Sequence, residues 1–72
     1  MSGRELLAVL MREPLGYEIA RQKGSHRRLK SRNGYPPLTL AFHDGVTVPR
    51  GAVKKVLTRD VGLDEQEALR LV

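Results

Sequence analysis

The sequence predicts an α+β domain in which a three-stranded antiparallel sheet carries helices on one face, in the order α-β-β-β-α with a short extra helix at the C-terminal end. Three observations predict it. Amphipathic stripes at helical spacing lie near both ends of the chain, three short strand-like segments lie between them, and turn residues separate those segments. Sequential antiparallel strands flanked by helices pack most simply as one sheet covered on one side, which leaves the other side open to solvent or ligand. At 72 residues the chain is expected to form a single domain, residues 1–72.

Ser2 and Glu5 have the spacing of a capping box, in which each side chain satisfies a backbone amide left unpaired at a helix start. Leu6, Val9, Leu10 and Glu13 follow at helical spacing, with Leu7 beside them, until Pro14 and Gly16 interrupt the pattern, so the first helix is expected over about residues 3–13. From Tyr17 to Gln22 the pattern alternates, with Tyr17 and Ile19 on one face and Glu18 and Ala20 on the other. Gly24 and Ser25 then make a turn. In the second strand, His26 to Ser31, Leu29 points inward while His26, Arg28 and Lys30 share the wet face. Asn33 and Gly34 suit a hairpin turn, although Tyr35, Pro36 and Pro37 lengthen the loop, and a third strand is expected over Pro37–Phe42. Pro49 suits the first turn of a helix, and Ala52, Val53, Val56 and Leu57 make its apolar stripe. That helix should stop near Asp60, where Gly62 can take a left-handed conformation. Asp64 and Glu67 repeat the capping-box spacing and start a short last helix.

Composition narrows the classes of function. There is no cysteine, so neither disulfides nor a thiolate zinc site can support the core. The longest apolar run, Leu6 to Met11, is too short to span a bilayer and lacks signal-peptide flanks, so a soluble cytoplasmic protein is expected, with no membrane partner. Thirteen Lys and Arg against eight Asp and Glu give a formal net charge of +5. The charge is polarised. Arg21, Lys23, Arg27, Arg28, Lys30 and Arg32 occur together with no acid among them, whereas Asp60, Asp64, Glu65 and Glu67 gather near the C-terminal end. A polyanion such as RNA, or an acidic protein surface, is attracted to the basic segment. A merely solvated charged strand has the same composition.

Acid–base chemistry starts with the two histidines, His26 and His43, because imidazole is the side chain that ordinarily titrates nearest neutrality. His26 follows the Gly24–Ser25 turn, with Arg21, Lys23, Arg27, Arg28 and Lys30 available to hold phosphates. This suits phosphodiester cleavage in RNA. The neighbouring 2′-hydroxyl is the nucleophile there, so a base, an acid and cations suffice, with no metal or cofactor. Hairpin pairing brings the end of the third strand back toward the start of the second, so His43 is a candidate partner of His26; equally, it can begin a loop with Asp44 and Gly45. Ser25 can donate a hydrogen bond to a phosphate or simply serve the turn. Lys54 and Lys55 can touch a nucleic-acid backbone or form a solvated helix face. Tyr35 and Phe42 can stack on bases or pack. No GxSxG elbow and no Walker loop is present.

The run from Gly16 through Tyr17 to the stretch Arg21-Gln22-Lys23-Gly24-Ser25-His26 resembles the HicA toxin family, also called YcfA-like, whose hallmark is a Gly-aromatic start followed by RQxGSH. Leu38 to His43 is similar to the family's third strand and the histidine after it, and Gly51 to Leu57 with Val61-Gly62-Leu63 is similar to its helix and helix end. Ala41 and Ala52 depart from the proline and threonine often found there, and the first departure weakens a role for His43. The resemblance implies a fold like that of double-stranded-RNA-binding domains and a toxin of a type II toxin–antitoxin system. It also implies a ribosome-independent mRNA interferase, an endoribonuclease monomeric when free, neutralised by a HicB-type antitoxin that covers the active site. The family's catalytic histidine falls on His26. Two other classes compete: a non-catalytic module that binds structured RNA through the basic strand, Lys54 and Lys55, and an interaction element whose basic face docks on an acidic protein.

Overall fold

A computed structural model describes residues 1–72. The elements are α1 (Gly3–Met11), β1 (Tyr17–Lys23), β2 (His26–Ser31), β3 (Leu38–Leu40), α2 (Arg50–Lys55) running into a wider π-helical turn (Val56–Asp60), and α3 (Glu65–Leu71). The order is the expected one. No helix is long and apolar enough to cross a membrane.

Both capping boxes form. Ser2 N donates to Glu5 Oε1 at 2.8 Å while Glu5 N donates to Ser2 Oγ at 3.1 Å, and Asp64 and Glu67 exchange the same pair of bonds at 3.1 and 2.8 Å. The Ser2 bonds hold the Glu5 carboxyl below its ordinary value of 4.5. Helix α1 ends at Met11, two residues before the expected end, because Arg12 already takes extended backbone on the approach to Pro14.

The strands pair antiparallel in the order β1-β2-β3. Tyr17, Leu29, Leu38 and Leu40 are buried on the sheet's inner face and form one core with Leu6, Val9 and Leu10 of α1, Val53, Val56 and Leu57 of α2 and its π turn, and Ala68 of α3. Two corrections concern the strands. Ile19 pairs with the buried Leu29 but stays 41% exposed, because β1 is an edge strand and its register slips between Ile19 and Arg21, leaving Ala20 unpaired as a bulge. Strand β3 covers only Leu38–Leu40, not Pro37–Phe42. Beyond it the backbone bonds elsewhere: Val46 N donates to His43 O, Gly3 N to Val46 O and Arg4 N to Asp44 O, at 3.2, 2.9 and 3.1 Å.

Pro49 stands one position before the first turn of α2. Thr58 Oγ1 donates to Lys54 O at 2.8 Å, a carbonyl a regular helix would use for the Thr58 amide, and the next turn widens so that Val61 N bonds Val56 O at 3.0 Å. Gly62, at φ +92°, then turns the chain toward α3 as expected.

Candidate active site

The β1–β2 connection has two residues, and its geometry follows from one glycine. Gly24 has φ +60° and no non-glycine residue has positive φ, so Ser25 is in the ordinary region and the turn is of type II′, the kind whose twist suits a hairpin. Lys23 and His26 are the pair that closes it. His26 is therefore fixed as the first residue of the central strand.

The bulge decides what surrounds it. Residues directly opposite on antiparallel strands share a face, and Arg21 is opposite Arg28 while Lys23 is opposite His26. Strict alternation from the buried Tyr17 would have sent Arg21 and Lys23 toward the inner face. The unpaired Ala20 returns both to the outer face, where Lys23, His26, Arg21, Arg28 and Lys30 are all exposed. Arg28 Nη1 donates to Thr39 Oγ1 on β3 at 3.3 Å, and Glu18, opposite Lys30, is 3.3 Å from Arg32. An exposed imidazole ringed by guanidinium and ammonium groups can transfer a proton next to a phosphate whose growing charge those cations stabilise.

Arg27 does not join this group. It is opposite Leu40 on the inner face, its side chain is 11% exposed, and its Nη1 lies 2.8 Å from Asp44 Oδ1. The N–H directions miss that oxygen, so the contact is an ion pair without an aligned hydrogen bond, and Arg27 Nε, Arg27 Nη1 and Asp44 Oδ1 have no such partner. Arg27 still holds the Asp44 carboxyl below its ordinary 3.8, with smaller help from Arg4 and His43. Of the expected phosphate ligands, Arg27 is the one the fold turns to the opposite side.

His43 sits beyond the β3 ladder in a turn docked on the start of α1, where a Cβ on Gly3 would clash with the His43 carbonyl oxygen. Continuing the Arg27–Leu40 register by one residue brings Ala41, not His43, level with His26. Ser25 is half-buried within the turn.

Sequence reasoning missed the bulge, Thr39 and the Arg27–Asp44 pair. After Ile19 every residue of β1 except Ala20 is polar, so no apolar phase survives to reveal the slip, and only the small size of Ala20 hints at it. No three His, Asp or Glu side chains converge to hold a metal ion. A surface hollow between α2 and α3, lined by Val53, Leu57, Ala68 and Leu69, contains neither histidine and none of the β1 and β2 cations.

Neither a curated protein nor a solved structure matches the chain. The family described as HicA toxin of bacterial toxin-antitoxin matches residues 3–63, from the first turn of α1 to the residue after Gly62, and so spans the sheet, the bulge and His26. With that share of its length matched, the chain belongs to the HicA toxin family.

Proposed function

We propose that this toxin is an endoribonuclease that cuts mRNA without a metal or cofactor, using His26 as its catalytic group. The observation that carries the reading is the open sheet face, where one bulge and one type II′ turn gather Lys23, Arg21 and Arg28 around the exposed His26. The 2′-oxygen attacks the adjacent phosphorus as the 2′-proton leaves, and the bond from phosphorus to the 5′-oxygen breaks as that oxygen gains a proton. One strand then ends in a 2′,3′-cyclic phosphate and the other in a 5′-hydroxyl. His26 takes or gives one of these protons. Lys23, opposite His26, offsets the charge on the phosphoryl oxygens, Arg21, Arg28 and Lys30 hold the RNA backbone along the strand, and Ser25 donates a hydrogen bond from the turn. His43, three residues beyond β3, is at most a supporting group, while Arg27 contributes by holding the Asp44 turn rather than by touching RNA.

The free toxin acts as a monomer in the cytoplasm, where mRNA is present. A HicB-type antitoxin silences it by covering the same face, and a basic surface calls for acidic groups on the antitoxin.

The test compares wild type with His26→Ala, both verified as folded, on a long single-stranded RNA in excess EDTA. Wild type is expected to fragment the RNA and the variant to be slower by about 10²-fold or more, while still retarding RNA on a native gel. Intact RNA with both proteins, together with a mobility shift, would favour the module that binds RNA without cutting it.

A further inference from the structure

The open face concentrates like charge in a way that sheets ordinarily avoid. Arg21 stands opposite Arg28, two rungs from Lys23 opposite His26, and like charges directly opposite one another are destabilising. No acid within the chain relieves them. The ion pairs of the molecule join Arg27 to Asp44, Arg32 to Glu13 and Glu18, and Lys54 to Glu65, whereas Arg28 has the neutral hydroxyl of Thr39 at 3.3 Å. Nor does the strand pattern force the arrangement, since alternation without the unpaired Ala20 would separate Arg21 from Arg28. A bulge that brings repelling cations together breaks a local rule, and such breaks belong to functional sites, here one where an external anion supplies the missing charge.

We infer that Arg21 and Arg28 form a second phosphate subsite that grips the phosphate adjacent to the one cut at His26 and Lys23. The inference rests on the reading of this face as the RNA-cutting site. The two rungs are two residues apart on both strands, roughly 6.5 Å, which is on the scale of the step between consecutive phosphates of an extended single strand. A guanidinium binds phosphate oxygens in pairs, so two arginines facing each other across one rung suit a single phosphate, and Thr39 steadies Arg28. The face is made of Glu18, Arg21, Lys23, His26, Arg28, Lys30 and Thr39, with no Phe, Tyr or Trp among them, so its hold is chiefly on the backbone. Binding the neighbouring phosphate fixes the scissile one against the imidazole, and energy gained at the first is expressed as rate at the second.

The experiment uses a short RNA with a single 2′-hydroxyl, all other sugars being 2′-O-methyl, so that one bond can be cut. Either flanking linkage is replaced by a neutral methylphosphonate. Wild type is compared with Arg21→Gln/Arg28→Gln and with Arg59→Gln/Arg70→Gln, which removes the same charge from the exposed helical side, at the π turn and α3. Neutralising one of the two flanking linkages is expected to lower wild-type kcat/KM about tenfold. The Arg21→Gln/Arg28→Gln protein should be about tenfold slower on the all-phosphate RNA and lose nothing more with the methylphosphonate. The control should behave like wild type, and the thermal midpoint of Arg21→Gln/Arg28→Gln should equal or exceed wild type, because repulsion has been removed. Wild-type indifference to both methylphosphonates would overturn the subsite, as would undiminished sensitivity in the arginine variant or a fall in its midpoint. A folded wild type that cuts no unmodified RNA would instead overturn the underlying reading and the subsite with it.

Discussion

His26 and Arg27 are adjacent in the chain but face opposite sides of the sheet, one exposed among cations and the other 11% exposed against Asp44. Alternation that turns Leu29 inward and His26, Arg28 and Lys30 outward also turns Arg27 inward, yet as part of the basic run it was expected among the phosphate ligands. Its partner was not legible. Asp44 comes from a turn beyond β3, and a basic run reads as a single surface until a distant acid is seen to claim one member. The pair also fixes a pH dependence. Because Asp44 is held below 3.8 in the folded chain, folding is favoured by its ionisation above that value, and the contribution is lost as pH falls through the lowered folded value. Glu5, held below 4.5 by Ser2, acts in the same direction. Thermal midpoints measured from neutral to strongly acidic pH should therefore put Asp44→Asn below wild type near neutrality, with the gap closing below 3.8. The variant, when folded, should still cut RNA, because Asp44 contacts the residue facing away from His26.

The β1–β2 hairpin is the element that builds the site, and only half of it was written plainly in the chain. Gly24-Ser25 announces a two-residue turn, and His26 follows it in the expected position. The bulge carries no comparable mark, because Ala20 lies where apolar alternation has already ended. Both capping boxes were legible for the opposite reason: each consists of two residues at fixed spacing whose bonds are local. The shortened β3 and the π turn were not legible, since each depends on where backbone groups bond in three dimensions. Gly24→Ala should test the turn. The space around Gly24 is open, so the substitution meets no neighbour and costs only the strain of φ +60°, about 1–2 kcal/mol, read as a lower denaturant midpoint with an unchanged slope. In the fraction that remains folded, cleavage should persist.

Across the whole molecule, helices seal one face of the sheet and leave the other as a basic surface around His26. Its formal charge of +5 favours RNA association that weakens as salt rises. The family match ends at Leu63, so α3 lies outside it, yet α3 completes the core through Ala68 and returns to α1 where Arg12 Nη2 donates to Leu71 O at 3.3 Å. The layer architecture was legible because it follows from element order, whereas the gathering of cations on one side depends on a single extra residue in β1. The proposed reaction on this open face directs the strand's own 2′-hydroxyl at the phosphate. The most direct measurement is the chemistry of the ends released by wild type from an all-RNA oligomer and from the same sequence carrying 2′-O-methyl groups throughout. The first should give 5′-hydroxyl and 2′,3′-cyclic phosphate ends, and the second should not be cut. New 5′-phosphate ends, or cleavage of the 2′-O-methyl strand, would contradict the proposed reaction.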